Sequence, residues 1–327
     1  MSHSIRLNVT FRSFECDISV ARSKLQHSKN KNLSTESGFP KPFLTTTSCT
    51  FVNFILQEQP NNMEVDAEDI KHVAKKTLCW PENRKWESRD LERRIRSFFG
   101  APSETIALIW NLIWNRIRPD ERSEICKRGT GEPQCHCLLC ALLFLKVCAS
   151  KDVHCSIVGW PSVKTFRKWS WCFIEKIADL KDDIIQLERR FEDIGDDVQC
   201  FVSVDGTDCP VFEPWPFDKK MFSFKTNGPA LRCEVAVAIS TGFIVWVNGP
   251  FRAGKPDSKI FKEGLRHCLL DDERVEVVDG GHRGDDKFMT PGMGNTSQSR
   301  KQKSVICGRH ENVNSRLKMF NVTTSHF

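Results

Sequence analysis

The sequence predicts a mixed α+β / α/β protein, with a helical first half followed by a sheet-bearing second half. Three observations carry that prediction. Apolar residues recur at helical spacing through residues 102–180. After Cys200 they alternate in twos, as they do along strands. In that second half, turn pairs and one helical stretch separate the strand-like runs.

A chain of 327 residues, 39% hydrophobic and 28% charged, has the length and composition of a soluble protein with a sizeable core, and two domains are expected. The longest apolar run, 137–149, is interrupted by Lys146 and is too short to span a bilayer, so no membrane partner is expected. Fifteen cysteines are an odd number in a chain too large to need disulfide staples, and no charged-then-apolar leader precedes them; a reducing, intracellular compartment is expected. The net charge of +6 is concentrated near the C-terminus. From residue 287 onward, seven Lys and Arg (287, 300, 301, 303, 309, 316 and 318) face one acid, Glu311, which suits a polyanionic partner or a solvated basic loop.

Residues 1–62 are rich in Ser, Thr, Asn and Lys without a sustained period, and are expected to be a poorly ordered arm. Residues 63–198 are expected to form a helical region. Glu64, Asp66, Glu68 and Asp69 precede Lys71, Lys75 and Lys76, an order that complements the dipole of a short helix. Pro102 and Ser103 open a second helix with Ile106, Ile109, Trp110, Ile113, Trp114 and Ile117 on one stripe, and Arg118-Pro119 ends it. These tryptophans belong to a core rather than to a base-stacking platform.

Three more helices are predicted over 138–149, over 152–158 and from Ser162 onward, with Gly159-Trp160-Pro161 breaking the chain before the last. That last helix carries Phe166, Trp169, Phe173 and Ile177 along one side and Lys164, Arg167 and Lys168 in its first two turns. The arrangement resembles a helix-turn-helix that meets DNA with its second helix; generic three-helix packing produces the same pattern.

The second half, 199–327, opens with a strand over 200–205, after which Gly206 and Thr207 are expected to bend the chain away. Val202 and Val204 point to one face, and Phe201, Ser203 and Asp205 to the other. A carboxylate at the end of an apolar strand is costly to desolvate unless something positive meets it, so Asp205 and Asp208 read either as turn residues or as part of a metal site. Residues 231–240 and 243–248 form a hairpin about Thr241-Gly242. Asp257 caps a helix over 258–270, and 274–278 is a buried strand ending in Asp279. A polar loop over 290–303 leads to a last helix that opens near Glu311.

From residue 200 the order is strand, strand, strand, helix, strand, loop, helix. That is the succession of an RNase H-like fold, in which the first and fourth strands are neighbours. Asp205 and Asp279 would then lie side by side, with Glu311 facing them. Three converging carboxylates repel one another and require hard divalent cations, Mg²⁺ or Mn²⁺. Two such ions roughly 3.5–4 Å apart serve an in-line phosphoryl displacement.

The segments VDGTDCPVFEPWPFDKK, GPALRCEVAVAISTGFIVWVNGPF, VVDGGHRG and RHENVNSRLKMF resemble the DDE-superfamily endonuclease domain of Harbinger-type (PIF-related) transposases, and the likeness runs through roughly residues 90–322. It implies a nuclear enzyme that nicks double-stranded DNA at element ends and transfers the freed 3′-hydroxyl to target DNA, working as a homo-oligomer with a Myb-like helper protein. Asp205, Asp279 and Glu311 would hold the two metal ions. Residues 162–169 would fall in the helix-turn-helix-like region, and Arg309, His310 and Lys318 would contact DNA phosphates.

This chain departs from the family where Phe222, Cys233 and His282 stand in place of tyrosine; the whole sequence has no tyrosine. It also stops at Phe327, earlier than family members do, which reads as a truncated copy. A catalytically inactive, DNA-binding relic and another RNase H-like nuclease acting on RNA or RNA–DNA hybrid are the alternatives. Cys135, His136, Cys137 and Cys140 read as a zinc half-site or, without a second pair at matching spacing, as buried thiols at a helix start. Asp271, Asp272, Asp285 and Asp286 read as solvated charge, and Arg300-Lys301-Gln302-Lys303 as a nuclear-targeting or DNA-contact run.

Overall fold

The structure, a computed structural model, describes residues 64–81, 83–126, 135–159, 162–193, 200–278, 285–289 and 297–325; side chains at 123–126 and 297–302 are outside that description. The arm expected at 1–62 therefore lies outside the described residues. Residues Gln59–Phe327 form one compact unit.

Each helix of the first half starts and stops where its sequence provides a reason. Helix α1 (Ala67–Thr77) begins at Asp66, whose carboxylate accepts from the backbone N–H of Glu68 and Asp69 while the Asp69 carboxylate accepts from that of Asp66. This reciprocal capping satisfies donors that the first turn leaves open. Helix α2 (Ser88–Phe99) buries Leu91, Ile95 and Phe99 and stops at Gly100, whose φ of +79° suits a residue without Cβ. Helix α3 (Ser103–Trp114) buries Ile106, Trp110 and Ile113, and Pro119 opens helix α4 (Pro119–Cys126).

Helices α5 (His136–Val147), α6 (Lys151–Val158) and α7 (Val163–Ala178) are the expected three. Helix α5 is buried continuously from Cys137 to Phe144, as an apolar helix at the centre of a bundle must be. Trp110 stacks on Trp114 and Phe173 within this core, which confirms the tryptophans as core residues. The short helix α8 (Lys181–Ile184) and a 3₁₀ turn at Leu187–Phe191 connect to the sheet. There the Arg190 guanidinium pairs bidentately with Glu273 at 2.8 and 3.1 Å, both side chains being buried.

Among the described residues the sheet is mixed and six-stranded. Strands β1 (Cys200–Pro210), β2 (Phe222–Ser223), β3 (Gly228–Ala238), β4 (Ile244–Arg252), β5 (Arg274–Val277) and β6 (Phe288–Met289) run in the order β2-β3-β1-β5-β6, with β4 also on β3. β1 is antiparallel to β3 and parallel to β5, so the first and fourth long strands are neighbours. Val202 and Val204 join Ala236, Val245, Phe261, Val275 and Val277 in the core of the sheet, as their alternation predicts.

The structure corrects three expectations of local structure. Gly206 and Thr207 do not bend the chain away, because β1 continues through them to Pro210. Gly206 serves close approach: a Cβ there would stand 2.4 Å from Asp257 Oδ1. The helix expected over 258–270 is helix α9 (Asp257–Glu263) followed by a 3₁₀ turn, and it breaks at Gly264, where a Cβ would meet Asn248 Nδ2 at 2.4 Å. The last helix, α10 (Ser297–Lys318), starts well before Glu311. Residues 297–303 carry no apolar side chain, so no apolar period announces its first turns. The loop expected over 290–303 is thus helical from Ser297.

Candidate functional site

Asp205 lies on the central strand, buried at 7% exposure, on the face opposite Val202 and Val204. Helix α10 covers that face with a polar stripe. Lys303 Nζ is 3.3 Å from Glu276 on β5, His310 Nδ1 is 2.9 Å from Ser203 Oγ, and Asn314 Nδ2 donates to Asp205 Oδ2 at 3.0 Å. Positions 303, 310 and 314 are separated by seven and four residues, which places them on one side of a helix. Asp205 Oδ1 accepts from its neighbour's N–H, that of Gly206, at 2.8 Å. Lys225 Nζ stands 3.9 Å from the same oxygen and donates to the Gly206 carbonyl at 3.1 Å. The buried carboxylate is therefore met by a side-chain amide donor and, at ion-pair distance, by an ammonium.

The opposite face carries a second polar cluster. Asp208, expected as a turn residue or as part of a metal site, is a buried strand residue that accepts from Arg232 Nε and Nη2 at 2.7 and 2.9 Å and from Ser223 Oγ at 2.5 Å. Burial alone would raise its pKa, but the Arg232 and Ser223 hydrogen bonds hold it below the usual carboxylate value. Asp257, expected as a helix cap, is the first helical residue, and its carboxylate pairs with Arg232 Nη1 at 3.1 Å. Glu234, opposite Gly206 in the ladder, accepts from Trp246 Nε1 at 3.0 Å, and burial pushes its pKa up to about 7.

The structure distributes the other expected site residues unevenly. Asp279 lies outside the described residues; β5 ends at Val277, and its last pair with β1, Val204 with Val277, falls one residue before Asp205. Glu311 is exposed on α10, in the middle of the helix rather than in its first turn. His310 is fully buried against Ser203, which removes it as a phosphate contact. Arg309 is exposed and donates to the carbonyls of Ile239 and Ser240 at the hairpin turn. Lys318 is exposed at the end of α10. Lys164, Arg167 and Lys168 are exposed along α7 while Phe166, Trp169 and Phe173 are buried.

The remaining motifs resolve as structure. Burial pushes the thiols of Cys135 and Cys140 well up and His136 down to about 4, as for a packed helix start rather than a thiolate site. The described cysteines are free thiols. Asp285, expected to be solvated, pairs with Arg266 at 2.9 Å and its side chain is buried. Among the described residues, no helix is long and apolar enough to cross a membrane.

Asn314 and Lys225 are the partners of Asp205 that sequence reasoning missed. A signal for Asn314 was present: it stands four residues after His310, on the helical face that also holds Lys303. As a donor set for a hard cation, the Asp205 carboxylate is of the right kind, and Asn314 Oδ1 is buried without a hydrogen-bond partner. These are two oxygen donors. Among the described residues, no group of three or more His, Cys, Asp or Glu stands close enough to hold a metal ion.

No family model, curated protein or solved structure matches this chain.

Proposed function

We propose that this chain is a transposase-type DNA endonuclease and strand transferase that cuts phosphodiester bonds at a carboxylate site centred on Asp205, with Asp279 and Glu311 as the further acids. One observation carries the reading. Asp205 is a buried carboxylate on the central strand, one residue past the last pair with a parallel neighbour whose sequence reaches Asp279 two positions after Val277. The helix bearing Glu311 lies over it. The strand order β3-β1-β5, with β1 and β5 parallel, supports the RNase H-like form of the fold.

In this reading Mg²⁺ or Mn²⁺ supplies Lewis acidity toward the scissile phosphate. The protein's own part is positional. Asn314 fixes one oxygen of Asp205 and the Gly206 N–H fixes the other, so the carboxylate is held without a rotamer search. Lys225 places a positive charge beside it, suited to a phosphate. The partners are double-stranded DNA, met also by Lys164, Arg167, Lys168, Arg309 and Lys318, together with a second copy of the chain and a Myb-like helper, in the nucleus.

A specific observation favours a second reading, a DNA-binding relic without turnover: the α10 side chain bonded to Asp205 is Asn314, while Glu311 is exposed. Nicking of supercoiled plasmid with Mg²⁺ or Mn²⁺ separates the two. The nuclease reading expects Asp205→Asn and Asp279→Ala each to lower nicking by at least about a hundredfold. Equal nicking by the parent and Asp279→Ala defeats it. A parent that binds DNA as well as Asp205→Asn does, and nicks nothing, establishes the relic.

A further inference from the structure

Past the end of β1 lie the most exposed aromatic side chains among the described residues. Trp215 is 96% exposed, Phe224 93% and Phe212 68%. All three fall within residues 212–225, at the end of the sheet toward which β1 runs.

The chain is anchored on either side of Trp215. The N–H of Val211 donates to the Pro229 carbonyl at 3.0 Å, that of Met221 to Asp218 at 2.8 Å, and that of Gly254 to Lys220 at 2.8 Å. The Asp218 carboxylate caps Lys220 N–H at 3.0 Å and pairs with Arg252 at 3.3 Å. Phe222 meets Phe224 edge-on at 5.2 Å between ring centroids.

Lys219, Lys220 and Lys225 are interleaved with these rings and are exposed. Asp218 is already engaged, which leaves Glu213 as the other acid of the segment.

We propose that residues 212–225 form a stacking platform for unpaired nucleotides of single-stranded DNA, with bases on Trp215 and Phe224 and phosphates on Lys219, Lys220 and Lys225. The partner's identity as DNA rests on the nuclease reading of Asp205. Exposed aromatic rings interleaved with ammonium groups match what unstacked bases on a charged backbone require, and a paired duplex offers no free base face. A protein partner fits less well, because lysine is depleted from the buried centres of protein interfaces. The platform also adjoins the candidate site: Lys225 belongs to both, its Nζ 3.9 Å from Asp205 Oδ1. Strands frayed or opened at the cutting point would be gathered there.

The test is fluorescence anisotropy in metal-free buffer with labelled single-stranded and duplex oligonucleotides of one sequence. Trp215→Ala and Phe224→Ala are each expected to weaken single-strand binding by about tenfold and to leave duplex binding within about twofold. Trp215→Phe is expected to keep most of the affinity. Lys219→Ala with Lys220→Ala is expected to flatten the salt dependence. A 2-aminopurine in the strand should be quenched by the parent protein and not by Trp215→Ala. The proposal is overturned if the Trp215→Ala/Phe224→Ala double variant binds single strands as the parent does. It is also overturned if single-strand and duplex affinity fall together, or if the substitutions only dissociate a dimer in sedimentation. No cleavage is measured, so the two readings fail separately. A parent that never nicks plasmid but loses single strands on Trp215→Ala keeps the platform and loses the nuclease. A parent that nicks through Asp205 while the variants bind normally does the reverse.

Discussion

Two buried carboxylates on neighbouring strands behave oppositely because of the partners they meet. Asp208 faces the Arg232 guanidinium, and its charge is retained. Burial raises the pKa of Glu234 from 4.5 to about 7, with Asp257 adding repulsion and the indole N–H of Trp246, Asn248 and Lys255 offsetting part of it. For Glu234 the folded state keeps a proton that the unfolded state has released. Stability should therefore fall as pH rises from about 4.5 to about 7 and then level off. Glu234→Gln should remove this slope and gain on the order of 2–3 kcal/mol above about pH 8, while matching the parent near pH 4.5. Urea unfolding across that range measures it; an unchanged slope in the Gln variant would falsify the assignment. Asp208 has the opposite sign: its contribution is present above the unfolded value and is lost as pH falls through the lowered folded one.

At the scale of elements, the sheet and its two covering helices fit because small residues stand where polar ones approach. Gly206 is the sharpest case. Asp257 is tied to Arg232 at 3.1 Å and has little freedom to step aside for a Cβ at position 206. Gly206→Ala should destabilise by about 1–3 kcal/mol through overpacking. In the double variant with Asp257→Ala the two costs should add to less than their sum, because the clash is relieved. Strictly additive denaturant midpoints would show that no clash exists. The same region marks where sequence reading reached its limit. A Gly between two Asp residues reads locally as a turn, since turn chemistry and close packing both select glycine. The first turns of α10 escaped notice for a different reason: residues 297–303 carry no apolar side chain, so no hydrophobic period marks them.

Across the whole molecule, the end of α10 clasps the helical half. The Phe320 ring lies where a Cβ on Gly100 would be 2.4 Å away, and Lys146 stands 5.7 Å from that ring. Lys146 Nζ also donates to the Met319 carbonyl, and Asn321 Nδ2 to that of Val147 at 3.1 Å. The helix that supplies Asn314 to Asp205 is thus anchored to the bundle at one end and laid on the sheet along its length. Phe320 is half-buried, so Phe320→Ala should cost about 1–2 kcal/mol, less than the roughly 3–5 kcal/mol of a fully buried ring. Hydrogen exchange should rise along α10 as well as at its end; a change confined to residues near 320 would show that the clasp is local.

What the sequence determined by itself was the set of local choices. The capping box at Asp66, the helical stripes through Trp110 and Phe166, the two-residue alternation of Val202 and Val204, and the hairpin about Thr241-Gly242 depend on neighbours within one or two turns of chain. Tertiary structure decided the meaning of the charged residues. Whether Asp208 is a turn or an ion pair depends on Arg232, and whether Asp257 caps a helix or closes that pair depends on the same guanidinium. Which side chain of α10 reaches Asp205 depends on how a 22-residue helix rotates onto the sheet. A one-residue step turns a helical side chain by about 100°, so Glu311 and His310, adjacent in sequence, end with one exposed and one buried. Spacing along the chain limits such outcomes, and only packing against distant strands selects among them.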